Sequence, residues 1–197
     1  MNILVIGNGF DLAHGLPTKY THFLEFVKVI KQALRKGKLA GVDWGNTDAE
    51  VKNLLIFNKG KVQDNLFSNS QIWENLINNN FWIEYFLPIY ADREKNGKDG
   101  WIDFECEISE VIQSLDYDMH GLNQVYNIED TVYHLSNGFL EDMYSDCIDA
   151  VQPINPTNNR FDVISFKEIR DKLLTDLNRL IRAFEIYLAE YVEKIDI

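Results

Sequence analysis

The sequence predicts an α/β chain dominated by helices, in which a short opening strand leads through a glycine turn into the first of several helices. Three observations carry that expectation. Asn2 to Ile6 is a uniformly apolar, β-rich run ended by Gly7, as a strand buried on both faces would be. Most later segments repeat their apolar residues at helical spacing. The last of them, about Lys167 to Ile195, places Ile169, Leu173, Leu177, Leu180, Phe184, Leu188, Tyr191 and Ile195 in steps of 3 and 4, the period of a long, nearly straight packed helix. The one further strand candidate is Phe161 to Phe166, so the expected sheet is small or incomplete.

Taken in order, Gly15, Leu16 and Pro17 break the chain, and Thr18 is placed to cap a helix running to about Lys36. Tyr20, Phe23, Leu24, Val27, Ile30 and Leu34 form its apolar face, and Gly37 and Gly41 close it. Gly41 to Thr47 reads as loop, and Asp48 to Phe57 as a short helix. Ser70 to Tyr90 is aromatic and helical in period, with a break expected at Asn78, Asn79 and Asn80. Asp92 to Gly100 is a solvated turn, and Trp101 to Leu115 a further helix. From Tyr117 to Pro156 the periodicity is weak and no element is assigned. The chain closes on "VEKIDI" with neither a glycine cap nor a polar tail, which reads as an interrupted architecture.

Composition limits the function. At 197 residues, with 46% apolar and 13% aromatic content, the chain fits a single domain with a real core. Its formal charge of −12 repels phosphate backbones, so no nucleic-acid partner is expected. Cys106 and Cys147 lack CxxC partners and read as neither a disulfide framework nor a zinc site, and no metal is expected in this chain. "MNILVIG" has no basic leader region and is too short to span a bilayer. No membrane partner is expected, and the predicted compartment is the cytoplasm.

The chemistry concentrates in "IGNGFDLAHGLPTK", Ile6 to Lys19. A strand, a glycine turn and a helix present backbone N–H groups to a phosphate, as in a Rossmann-type start. Gly7 and Gly9 supply the tight turn around Asn8, and Phe10 follows. The third glycine of the dinucleotide fingerprint would fall at Leu12, and no Gly-Lys-Ser/Thr follows, so neither standard motif is complete. Asp11 would repel a pyrophosphate unless it turned to a ribose hydroxyl, a metal or a capping position. The alternative is structural: Asp11 caps a single turn, Leu12 to His14, which Gly15 ends and Pro17 prevents from restarting. The chain would then be a non-catalytic helical interaction module.

"ILVIGNGFDLAHGLPTKYTHFL" resembles the opening signature of the AbiH family of bacterial phage abortive-infection proteins, and "NNNFWIEYF" and "WIDFE" extend the likeness to about residue 110. A more distant likeness, to sirtuin-type sites, lies in Gly7-x-Gly9 followed by Gly15-Leu16-Pro17. It implies NAD or a related nucleotide as cofactor, held by Gly7, Asn8, Gly9, Phe10, Asp11, Gly15 and Pro17, with Asp11, His14 and Glu105 as the catalytic candidates. Asp11 departs from the small hydroxyl residue usual in sirtuins. AbiH proteins are generally longer, with a later Phe-Asn-Tyr-type and a His-Gly segment that find no match in order here. The resemblance thus implies the N-terminal portion of a longer architecture, NAD-hydrolase-like when complete and inactive as this chain alone. A second copy or the missing half would dock through aromatic or helical faces.

On "WIDFECEISEVIQSL" the helical angle puts Trp101, Phe104, Ile108, Ile112 and Leu115 on one side, with Asp103, Glu107 and Glu110 opposite. Glu105 projects about 20° from Ile112, at the edge of the apolar face, where a carboxylate is partly desolvated and wants a partner. It is a solvated helix residue on one reading and a general base or ribose ligand on the other. Trp73, Phe81, Trp82, Tyr85 and Phe86 are expected to be core.

Overall fold

The structure is a computed structural model and describes residues 16–39, 42–45, 47–57, 64, 66–95, 103–122, 135–149 and 163–193. The helices are α1 (Tyr20–Lys36), α2 (Ala49–Phe57), α3 (Ser70–Ile77), α4 (Phe81–Lys95), α5 (Phe104–Leu122), α6 (Gly138–Asp149) and α7 (Val163–Tyr187). No strand occurs among the described residues. The expected opening strand and its glycine turn lie outside them. The second strand candidate is corrected: Val163 to Phe166 begin α7, where the helical register of the long segment continues upstream and overrides the local β-propensity of "VISF". The chain divides into two compact units, residues 1–102 with 176–197, and residues 103–175.

In the first unit α1 is central and packs against α2, α3 and α4. The sequence suggested one apolar stripe. Instead every residue from His22 to Val27 is buried, as are Val29, Ile30 and Ala33, so the helix is enclosed around most of its circumference. Tyr20, placed on the expected face, is exposed. The cap is Lys19 in extended conformation, without a side-chain cap bond, rather than Thr18. At the other end Gly37 adopts φ 63°. Its N–H reaches the Leu34 carbonyl, and that of Lys38 reaches Ala33, the left-handed closure that glycine makes without strain.

The break at the asparagines forms as expected, and its bonds explain why it is stable. Asn79 takes a positive φ of 50°. Asn80 Oδ1 accepts the N–H groups of Trp82 at 3.1 Å and Ile83 at 3.3 Å, which caps α4. The buried Asp176 of α7 accepts the Phe81 N–H at 3.0 Å, and its own carbonyl accepts Asn80 Nδ2 at 2.9 Å. Arg179 donates to the Asn75 carbonyl at 2.7 Å, the Asn78 carbonyl at 2.7 Å and Asp176 Oδ1 at 2.6 Å. One acid and one guanidinium, a single helical turn apart, therefore satisfy the orphan groups of two helix ends at once.

The same stretch of α7 closes the aromatic core. Phe26 of α1 meets Trp73, Tyr187 and Tyr191 with ring centroids 5.5, 4.8 and 4.8 Å away. Trp73 Nε1 donates to the Tyr191 hydroxyl at 3.2 Å. Trp73, Phe81, Trp82 and Phe86 are all buried, so these rings are core, as expected, with Tyr85 half-buried beside them. The helix does not stay regular. At Leu188–Val192 it widens into a π turn, closed by Glu193 N–H on the Leu188 carbonyl at 2.9 Å. No described helix is long and apolar enough to cross a membrane.

In the second unit α5 starts at Phe104. Asp103, expected on a solvated face, caps it through Oδ1 on the Cys106 N–H at 3.0 Å. The buried side is Phe104, Val111, Leu115 and Asp118, and Ile112 is 39% exposed. The segment left unassigned by its weak periodicity contains α6. Asn137 caps that helix at Phe139 and Leu140, and Asp118 Oδ2 holds the Ser136 N–H at 2.8 Å.

A buried histidine and two carboxylates

Of the residues singled out from the sequence, Gly7, Asn8, Gly9, Phe10, Asp11, His14 and Gly15 lie outside the described residues. Pro17 is described and buried. Glu105 is exposed on α5. The expected desolvation is absent because the apolar face turns toward Val111 and away from Ile112, which carries Glu105 out to solvent with it.

The described residues bring together a different set. His22 sits in the first turn of α1, next to the buried Glu25 one helical turn on. Glu25 Oε2 accepts the Asp48 N–H at 2.5 Å, and its other oxygen accepts the Tyr90 hydroxyl. This fixes the backbone where the loop enters α2. Asp48 then caps α2, with Oδ1 accepting the Glu50 N–H at 2.9 Å. Its second oxygen is left facing His22 Nε2 at 3.8 Å, and Glu50 Oε2 lies 3.5 Å from the same nitrogen.

His22 is 2% exposed, and both of its ring nitrogens are buried without a hydrogen-bond partner. Leaving one such group unmade costs about 1–3 kcal/mol, so the arrangement calls for an explanation. The Pro17 carbonyl lies near the ring and favours its protonation slightly, but not in hydrogen-bond geometry. The Tyr187 hydroxyl already donates to that oxygen at 2.5 Å. Burial pulls the imidazole pKa below its ordinary value against the opposing pull of Asp48, so the ring is neutral at pH 7 and offers a lone pair.

The two carboxyls are bonded to each other, and their pKa values part. Burial alone would raise Asp48, but hydrogen bonds from the Glu50 carboxyl and backbone outweigh it and hold Asp48 low. Glu50 is raised, first by its bond to Asp48 and then by burial. His22, Asp48 and Glu50 each present one ligand-type atom, all within 4.8 Å of one another.

Sequence reasoning passed over this set. His22 and Glu25 are polar residues inside an otherwise apolar helix, spaced i, i+3. Asp48-x-Glu50 stands directly before the apolar run of α2, which is a cap signature. Neither signal says that the two segments meet.

In the second unit, a cavity of about 330 Å³ is bounded by Ile112, Leu115, Asp116 and Met119 of α5 and by Lys167 and Arg170 of α7. It contains none of the candidate site residues chosen from the sequence.

No curated protein and no solved structure is similar enough to this chain to match it. A family model does match, over residues 3–197, described as bacteriophage abortive infection AbiH. That span includes the opening motif, the His22 centre and both compact units, and the chain belongs to the AbiH family.

Proposed function

We propose that this protein acts in abortive infection of phage-infected bacteria and that its opening stretch, Gly7 to Pro17, takes NAD or a related nucleotide. Family membership supports the first part. The second is supported by the G-x-G and Gly-Leu-Pro spacing and carried by one observation at the end of the stretch. Pro17 is buried, its carbonyl is tied to Tyr187 of α7 at 2.5 Å, and Thr18 N–H closes a turn on the Leu16 carbonyl at 2.9 Å. Fixing the exit of a ligand stretch in advance lowers the entropic cost of association. In this reading Asp11 turns to a ribose hydroxyl rather than to the pyrophosphate.

Binding and turnover are separate claims. Cleaving the nicotinamide–ribose bond requires an oriented water and stabilisation of an oxocarbenium-like charge, and Asp11, His14 and Glu105 are the candidates for that work. Glu105 is exposed, which leaves it without the desolvation a general base uses. The chain alone is expected to bind without releasing nicotinamide. Isothermal titration with NAD and with ADP-ribose checks the first claim, and weaker binding is expected for Asp11→Ala. No heat at millimolar ligand removes the nucleotide reading. Nicotinamide release that Asp11→Ala abolishes would show instead that the site is catalytically complete.

A further inference from the structure

We propose that His22, Asp48 and Glu50 form a binding site for a single divalent transition cation of the zinc type. This does not rest on the nucleotide reading, since it uses none of the same residues. Three observations carry it. A histidine 2% exposed has both nitrogens unpartnered, and one of them points at two carboxylate oxygens. The spacing fits coordination: tetrahedral bonds of about 2.1 Å hold ligand atoms about 3.4 Å apart. Nε2 lies 3.5 Å from Glu50 Oε2 and 3.8 Å from Asp48 Oδ2, so small movements bring all three ligand atoms onto one ion. Finally, Glu25 supports the set from behind by fixing the Asp48 backbone, the kind of outer contact that orients ligands.

The donor set selects the ion. One imidazole nitrogen with two carboxylates suits zinc and its neighbours, whereas magnesium prefers an all-oxygen, octahedral shell. The ion can reach the site, because the Asp48 and Glu50 side chains are 37% and 42% exposed while His22 closes the inner side. With three protein ligands, a tetrahedral ion keeps one position open to solvent, the arrangement of sites that act on a bound water rather than purely structural ones. The positive end of α2 is offset by its own cap, Asp48, so it does not bar a cation.

The test is titration of the full chain with ZnCl2 by calorimetry, alongside thermal unfolding with and without the metal. One Zn2+ per chain is expected, with a raised melting temperature and binding of Mg2+ at least about 100-fold weaker. His22→Leu and Glu50→Gln should each weaken Zn2+ by about 100-fold or more, since loss of an outer-shell partner alone costs up to that much. Asp48→Asn keeps the cap oxygen and should weaken it comparably. His120→Ala, at an exposed His–Asp pair on α5, should leave it unchanged. Cobalt-loaded parent protein should show the intense visible absorption of a four-coordinate ion, a readout that no folding defect in a variant can affect. Unweakened Zn2+ binding in His22→Leu, no saturable binding below about 1 mM, or six-coordinate cobalt absorption would each overturn the proposal.

Discussion

The first unit contains two buried polar centres of similar make-up and opposite condition. Around Asp176, the carboxylate meets a guanidinium and a backbone N–H, and Arg179 also closes helix-end carbonyls. Around His22, a ring of comparable burial makes no hydrogen bond, although two carboxyls stand within reach. A satisfied network specifies where elements go, and here it joins α7 to the α3–α4 break. An unsatisfied one is a stability cost that persists only where something else uses it. The same chain keeps both, so the difference separates what holds the fold from what the fold holds ready.

The strongest way to break that contrast is at the satisfied centre. Asp176→Ala leaves Arg179 without its carboxylate and the Phe81 N–H without its acceptor. Removing one partner of a buried pair typically costs about 3–5 kcal/mol, a large share of a domain's stability. The midpoint of urea unfolding should fall accordingly, with the first turn of α4 losing amide protection. Zinc-induced stabilisation should survive in whatever fraction stays folded, because Asp176 is none of the three proposed ligands. A change below about 1 kcal/mol would show that the network is decoration, since surface substitutions already cost about half of that.

How far each centre could be read in advance follows from the same physics. The asparagine break was legible because it is local: three consecutive asparagines end one periodic run before another begins. Its partners Asp176 and Arg179 were not, because sequence periodicity says nothing about which distant helix will supply a counter-charge. The long α7 was legible from its repeat, yet Phe161 to Phe166 reads as a strand, because a short apolar run of six positions looks alike in both states. The π turn at Leu188 gave no signal at all, since the apolar steps run through it unchanged. Glu105 failed on a small angle. An apolar face drawn through Ile112, rather than Val111, misplaces the carboxylate beside it. His22 failed for the reason that matters most. A polar residue inside a buried helix becomes informative only once the segment carrying Asp48 and Glu50 is known to lie against it.

A second perturbation acts on two buried tyrosines, Tyr187 at the end of α7, which bonds the Pro17 carbonyl, and Tyr191 in the π turn, which bonds Trp73. Burial pushes the Tyr191 hydroxyl up to about 12, partly offset by the Trp73 hydrogen bond. Burial, then the negative charges of Glu25 and Asp48, raise Tyr187 further. An unfolded tyrosine titrates near 10. Both shifts are upward, so the protonated phenol is the native form, and its contribution is fully present below pH 10. It is lost as pH rises above 10, at about 1.4 kcal/mol per unit for each group, up to about 12 for Tyr191 and further still for Tyr187. Alkaline unfolding should therefore begin above pH 10, and phenolate absorbance of the buried rings should appear together with loss of helical circular dichroism. Ionisation of all tyrosines near pH 10 with the helices intact would show that these hydroxyls are open to solvent.

The smallest expected effect has the opposite sign. His22→Leu removes two buried polar atoms that have no partners and replaces them with apolar atoms of similar bulk. Most buried substitutions destabilise. Here the apo protein should instead gain about 1 kcal/mol, because the orphaned groups cost roughly that much or more to bury. Its carboxyl neighbours lose little, since Asp48 still caps α2 through Oδ1 and Glu50 still bonds Asp48. In excess zinc the order should invert: the parent gains from the ion in proportion to occupancy, while the variant gains nothing. The two unfolding curves, with chelator and with zinc, thus test one residue from both sides. A variant less stable than the parent in chelator would mean that His22 has a partner in solution, such as a bound water, and that the two buried centres are alike after all.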